Sequence, residues 1–189
     1  FRFDSVSGKP LLVVEDTTRT LGELAHLHRM KFTIPVIAIG GSNGKTTTKD
    51  MISSVLALSY NVLSTEGNLN NHIGVPLMLL RLRKKHDVAV IEIGTNHPGE
   101  LDRLCQLLAP THGMITNIGK EHLEFFKSTK GVAEEEGVLF THLRKHKGAV
   151  AFVNADDQPV RSKAKWMRRQ VTYGMRGTHV DITGRIVGV

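Results

Sequence analysis

The chain has 189 residues, 40% hydrophobic and 23% charged, an ordinary globular composition that excludes a disordered tail or a fibrous repeat. Its 25 Lys plus Arg against 18 Asp plus Glu give a formal charge of +7, spread along the sequence, which favours anionic small molecules over nucleic acid as partners. The apolar runs, such as residues 36–39 and 77–80, fall far short of the roughly 18 residues of a membrane helix, and the lone Cys105 excludes an internal disulfide framework or a cysteine zinc cluster.

Residue 1 is Phe, and the opening Phe1-Arg2-Phe3-Asp4 lacks the basic and apolar blocks of a signal peptide, so the start is expected to be a cut and the setting reducing and cytoplasmic. In residues 1–32, Asp16-Thr17-Thr18 ahead of Leu21, Leu24 and Leu27 predicts a capped helix. From residue 35 onward short apolar segments alternate with helical stretches, which predicts parallel strands joined by crossover helices. A strand over 36–39 leads through Gly40-Gly41-Ser42-Asn43-Gly44 into a helix over about 45–60. Strands at 61–64 and 87–93 follow, the second almost unbroken in its apolarity, as a strand buried on both faces should be. Pro98 is expected to open a helix through Leu108. Strands at 114–116 and 149–153 flank a helix over about 129–144. A basic helical stretch, whose residues 163–169 form the densest cationic cluster, then leads to a strand at 171–173 and an apolar strand-like tail over 180–189 with no evident partner. The fold class is α/β, a mostly parallel sheet with helices on both faces.

Gly41-Ser42-Asn43-Gly44-Lys45-Thr46-Thr47 after a buried strand has the chemistry of a phosphate loop. Glycines let backbone N–H groups converge on phosphate oxygens, and the helix N-terminus adds a positive dipole end. Lys45 can reach the β and γ phosphates, and Thr46 can ligate magnesium. The strict pattern has a glycine where this chain has Ile39, so Gly40 and Gly41 are expected to make the turn. Glu92 ends the apolar run 47 residues after Lys45, at the strand edge where open α/β sheets bind ligands, and is the candidate acid for the metal.

Five ordered blocks resemble the Mur ligases, ATP-dependent amide-forming enzymes of peptidoglycan precursor synthesis. They are the phosphate loop through Lys49, Gly67-Asn68-Leu69-Asn70-Asn71-His72-Ile73-Gly74-Val75-Pro76, Glu92-Ile93-Gly94-Thr95-Asn96-His97-Pro98-Gly99-Glu100, Asn117-Ile118-Gly119-Lys120-Glu121-His122-Leu123-Glu124 and Asn154-Ala155-Asp156. The resemblance implies ATP and Mg2+ as cofactors, an acyl phosphate on the substrate, and amine attack upon it. The second and third blocks imply UDP-N-acetylmuramoyl-tripeptide and D-alanyl-D-alanine as the substrates. By motif position Lys45, Glu92 and His122 are the catalytic set, with Thr46 and Glu92 on one magnesium and His122 on a second. Asn70, Asn71, His72, Asn96 and His97 are candidates for the substrate.

The family's carbamylated lysine would fall four residues before Phe140, where this chain has Glu136 in the run Glu134-Glu135-Glu136. Glu136 is therefore expected to give directly the negative charge a carbamate would, the alternative being a solvated charge run on a helix face. The resemblance also implies that residues 1–32 end an N-terminal UDP-sugar-binding domain and linker. Residues 33–189 would then be an incomplete central ATP-binding domain, inactive by itself and lacking a C-terminal domain. A Mur-like nucleotide-binding module without ligase activity, or a related ligase for another acid, stays open.

Overall fold

In the computed structural model, which describes residues 2–6, 8–120, 123–176, 179–185 and 187, the chain opens with an antiparallel hairpin of β1 (Arg2–Val6) and β2 (Lys9–Val13), a two-stranded sheet of its own. Helix α1 (Thr17–Arg29) has the predicted cap: Asp16 Oδ1 accepts from the Arg19 N–H at 2.9 Å. Its buried face does not follow the leucine spacing. Leu24 and Leu27 are exposed, while Gly22, Ala25 and Arg29 turn inward. Close approach decides this, because a Cβ on Gly22 would already lie 3.1 Å from Leu107. Arg29 then satisfies backbone carbonyls that end another helix, donating to Leu108 O at 3.1 Å and Ala109 O at 3.2 Å.

The alternation follows as β3 (Val36–Gly40), α2 (Lys45–Leu56), β4 (Val62–Ser64), α3 (Gly74–Leu80), β5 (Val88–Glu92), α4 (Glu100–Leu108), β6 (His112–Ile115), α5 (Leu123–Phe126), α6 (Thr129–Arg144), β7 (Val150–Asn154), α7 (Gln158–Ala164), β8 (Gln170–Gly174) and β9 (Ile182–Thr183). Strands β3 to β9 form one parallel sheet in the order β4-β5-β3-β6-β7-β8-β9. The expected α/β class is what the chain adopts.

Strand ends shift by one or two residues, β6 running over 112–115 where 114–116 is expected, and three further departures have a visible local cause. Helix α2 stops at Leu56 instead of Tyr60, because the next turns tighten: Leu58 N bonds back to Val55 O and Ser59 N to Leu56 O. Helix α4 starts at Glu100, two residues after Pro98, with Gly99 at φ +88° as its N-cap. The apolar tail contributes only the two-residue β9, which does have a partner, pairing parallel with β8 through Tyr173–Ile182 and Gly174–Thr183. Ile186, Gly188 and Val189 of that tail lie outside the described residues.

The path from β3 to β4 runs one way across the sheet and every later crossover runs back the other way. Right-handed crossovers then put α2 on one face and α3, α4, α6 and α7 on the other. The packing agrees: α2 lies on β3, β4 and β5, while α1, α3, α4, α6 and α7 pack on one another. Between α6 and the sheet sit Leu139, Phe140, Leu143, Ile115 and Val153, all buried. Burying a side chain such as Phe140 contributes about 2–3 kcal/mol. Gly113 in β6 sets how near α6 can come, since a Cβ there would meet Leu143 at 2.7 Å and Leu139 at 3.1 Å. β3 is flanked by β5 and β6, so the loops leaving these three strands converge at one carboxyl edge.

Candidate functional site

The loop after β3 turns on Gly41 at φ +113° and Gly44 at φ +78°, conformations that favour glycine. Gly40, expected to share the turning, instead ends the strand. Its missing Cβ makes room for a carboxylate, because a Cβ there would lie 2.8 Å from Glu136 Oε2. That oxygen accepts from the Gly41 N–H at 2.7 Å. The far side of the loop is held by the end of β6. Ser42 N donates to Asn117 O at 2.9 Å, Asn43 N to Asn117 Oδ1 at 3.2 Å, and Thr116 Oγ1 to Asn43 O at 2.7 Å. Lys45 Nζ lies over the loop, donating to Gly41 O at 2.6 Å and Ser42 O at 3.0 Å.

Glu92, at the last position of β5, is 3% exposed and fully partnered. Its Oε2 accepts from Thr46 Oγ1 at 2.8 Å, its Oε1 from Asn70 Nδ2 at 2.8 Å, and its N–H donates to Thr65 Oγ1 at 2.9 Å. Thr65 also accepts at its carbonyl from the buried Lys49 Nζ at 2.9 Å, which ties α2 to the strand edge. A hydroxyl and a carboxylate side by side at a phosphate loop are hard oxygen donors, and this set fits magnesium. Among the described residues no group of three or more His, Cys, Asp or Glu gathers as a metal cluster. A cation beside Thr46 would therefore complete its shell from phosphate and water.

The remaining predicted residues separate. His122 and the neighbouring Glu121 lie outside the described residues. Glu136 is 4% exposed beneath the phosphate loop, so it is not a solvated charge; of the three consecutive glutamates only Glu134 is exposed, paired with Lys163 at 2.7 Å. Asn70 orients Glu92, whereas Asn71 Oδ1 caps α3 by accepting from Ile73 N at 3.1 Å and Gly74 N at 2.9 Å. His72 is exposed at a cleft shared with Asp16, Arg19 and Arg103. Asn96 and His97 stand in the exposed loop 94–99 and donate their N–H groups to Glu100 Oε2 at 2.8 and 3.1 Å. The His97 ring also packs 4.3 Å from that of Phe125.

Burial pushes the Glu100 carboxyl up, but the N–H donors of Asn96 and His97 outweigh it and hold its pKa below the usual 4.5. Sequence reasoning missed Thr65, Thr116 and Glu135. The two threonines had one usable signal, their place directly after the last residue of β4 and of β6.

The Mur ligase middle domain family matches residues 39–187. The UDP-N-acetylmuramoyl-tripeptide–D-alanyl-D-alanine ligase of Haemophilus influenzae is 47% identical over 151 residues, 78% of this chain and 33% of that protein. A crystal structure of MurF from Acinetobacter baumannii superposes with a TM-score of 0.83 at 37% identity, covering 94% of this chain and 39% of that one. MurF from Thermotoga maritima, solved in complex with ADP, gives a TM-score of 0.82 at 30% identity over 92% of this chain and 40% of that one. The chain spans about a third of the length of the curated relatives it matches.

Proposed function

The chain belongs to the Mur ligase family, whose middle domain it carries, and on that premise we propose that it is the ATP-binding core of a ligase joining D-alanyl-D-alanine to UDP-N-acetylmuramoyl-tripeptide. The observation that carries this reading is the Thr46 Oγ1–Glu92 Oε2 contact of 2.8 Å at the mouth of the phosphate loop. A hydroxyl and an acid from different strand ends meet where a triphosphate and its cation would lie. The T. maritima relative that binds ADP has the same fold.

In this function bound Mg·ATP would supply the γ-phosphate that activates the substrate carboxylate. The chain's own work is electrostatic and positional. Lys45 and the loop N–H groups beyond Asn43, those of Gly41, Ser42 and Asn43 being taken by Glu136 and Asn117, would hold the phosphates, Thr46 and Glu92 would hold the first magnesium, and Asn70 fixes the Glu92 carboxylate. His122 would serve a second magnesium, and Glu136, buried beneath the phosphate loop, would provide negative charge in place of a carbamate. Asn96 and His97 present the loop that meets the acid substrate. Residues 1–32 are the end of a UDP-sugar-binding domain and linker, and 33–189 the ATP-binding domain, in a cytoplasmic enzyme. No helix among the described residues is long and apolar enough to cross a membrane.

Calorimetric titration of a non-hydrolysable ATP analogue with magnesium tests the site. Lys45→Ala and Thr46→Ala should each weaken binding by about tenfold or more, Thr46→Ala only when magnesium is present. The reaction is tested in the whole protein, where ADP release should require both the muramoyl peptide and D-alanyl-D-alanine. Nucleotide binding indifferent to both substitutions, or ADP release independent of either substrate, would overturn the reading.

A further inference from the structure

Glu135 lies beside Glu136 on α6 and holds a different loop. It is 7% exposed, and its two carboxylate oxygens divide between two backbone donors: Oε2 accepts from the Gly99 N–H and Oε1 from the Leu101 N–H, each at 2.9 Å. Thr95 Oγ1 stands 3.4 Å from Oε1. Both N–H groups belong to the start of α4, whose N-cap Gly99 has no side chain to satisfy them. A carboxylate supplied by α6 therefore does the capping that the local sequence omits, and its charge faces the positive end of α4.

The consequence reaches both ends of loop 94–99. One end follows Glu92 out of β5, which fixes it to the candidate magnesium acid. The other ends on Glu135, and the next residue, Glu136, ends on the phosphate loop at Gly41. One turn of a buried helix thus sets the distance between the loop that holds the phosphates and the loop beside them. We propose that Glu135 is a positioning residue which places loop 94–99, and with it Asn96 and His97, in register with the phosphate loop for the acid substrate. This rests on the ligase reading given above.

Glu135→Gln keeps size and one acceptor but offers an NH2 group to one of the two N–H donors, so it should release one end of the loop without emptying the core. Backbone hydrogen exchange should quicken at Gly99 and Leu101 by about tenfold or more, while Gly41 exchange and ATP-analogue affinity stay within about twofold. In the whole protein the same substitution should raise KM for the muramoyl peptide by about tenfold with KM for ATP unchanged. Glu136→Gln is the contrast: it should alter Gly41 exchange and analogue affinity and leave Gly99 alone. Unchanged Gly99 and Leu101 exchange, or an unchanged peptide KM in Glu135→Gln, overturns the proposal while leaving the ligase intact. A wild-type protein that turns over no muramoyl peptide overturns the reading beneath it.

Discussion

Two loops leave the same edge of the sheet, two adjacent residues of α6 lie beneath them, and they are fastened by different chemistry. Between Ser42 and Asn43 the phosphate loop is gripped by neutral groups, the Asn117 amide, the Thr116 hydroxyl and backbone carbonyls, with carboxylates only toward its ends, Glu136 at Gly41 and Glu92 at Thr46. Loop 94–99 hangs on carboxylates: Glu100 takes the Asn96 and His97 N–H groups, and Glu135 takes those of Gly99 and Leu101. A loop that must receive a highly charged anion is better served by neutral fastenings, since each added carboxylate would repel the phosphates. The neighbouring loop is free to use charge along its length, and through Glu100 it acquires a dependence on pH.

The largest expected break in this contrast comes from Gly41→Ala. A Cβ there would meet Thr116 Oγ1 and lie 2.8 Å from Thr116 N, at a φ of +113° that alanine rarely adopts. The loop should lose its fastening to β6, at a cost of about 2 kcal/mol or more in thermal unfolding, with ATP-analogue binding abolished in calorimetry. Asn117→Ala is milder. It removes the bonds to Asn43 N and Asn43 O but leaves the backbone bond from Ser42, so chemical denaturation should register a loss of about 1 kcal/mol.

The smallest effect, and the one that separates the loops, is acidification. Because the folded Glu100 pKa lies below its ordinary 4.5, its contribution is fully present above pH 4.5 and fades as pH falls through the lower folded value. Amide exchange monitored between pH 6 and about 3 should therefore loosen Asn96 and His97 before Ser42 and Asn43. Simultaneous loosening of both loops would erase the distinction.

What was legible in the sequence follows the same division between local and distant causes. The unbroken apolar run of β5 with Glu92 at its end, the turn at Gly41 and the Asp16 cap are short-range patterns, and each took its expected place, whereas Gly40 ends the strand instead of turning. Glu136 is singled out in the sequence for the charge a carbamate would bring, but its bond to Gly41 and that of Glu135 to Gly99 were illegible, because a run of three glutamates does not show what its helix faces. Their destinations are set by Gly99 and Gly41, 36 and 95 residues away in sequence. The inward face of α1 was illegible for a related reason, since Gly22 and Arg29 are buried by what α4 presents to them and not by their own hydrophobicity.

Gly113 gives that distance a mechanical meaning. It acts as clearance: the absent methyl lets α6 seat within reach of the strand, and the seating depth of a rigid rod is shared by everything mounted on it. Glu135 and Glu136 sit one to two turns along that rod, and their bonds of 2.9 and 2.7 Å have little slack. The alignment of both loops is thus governed in part from the floor of the sheet, by a residue that touches neither, and its tolerance is a few tenths of an ångström.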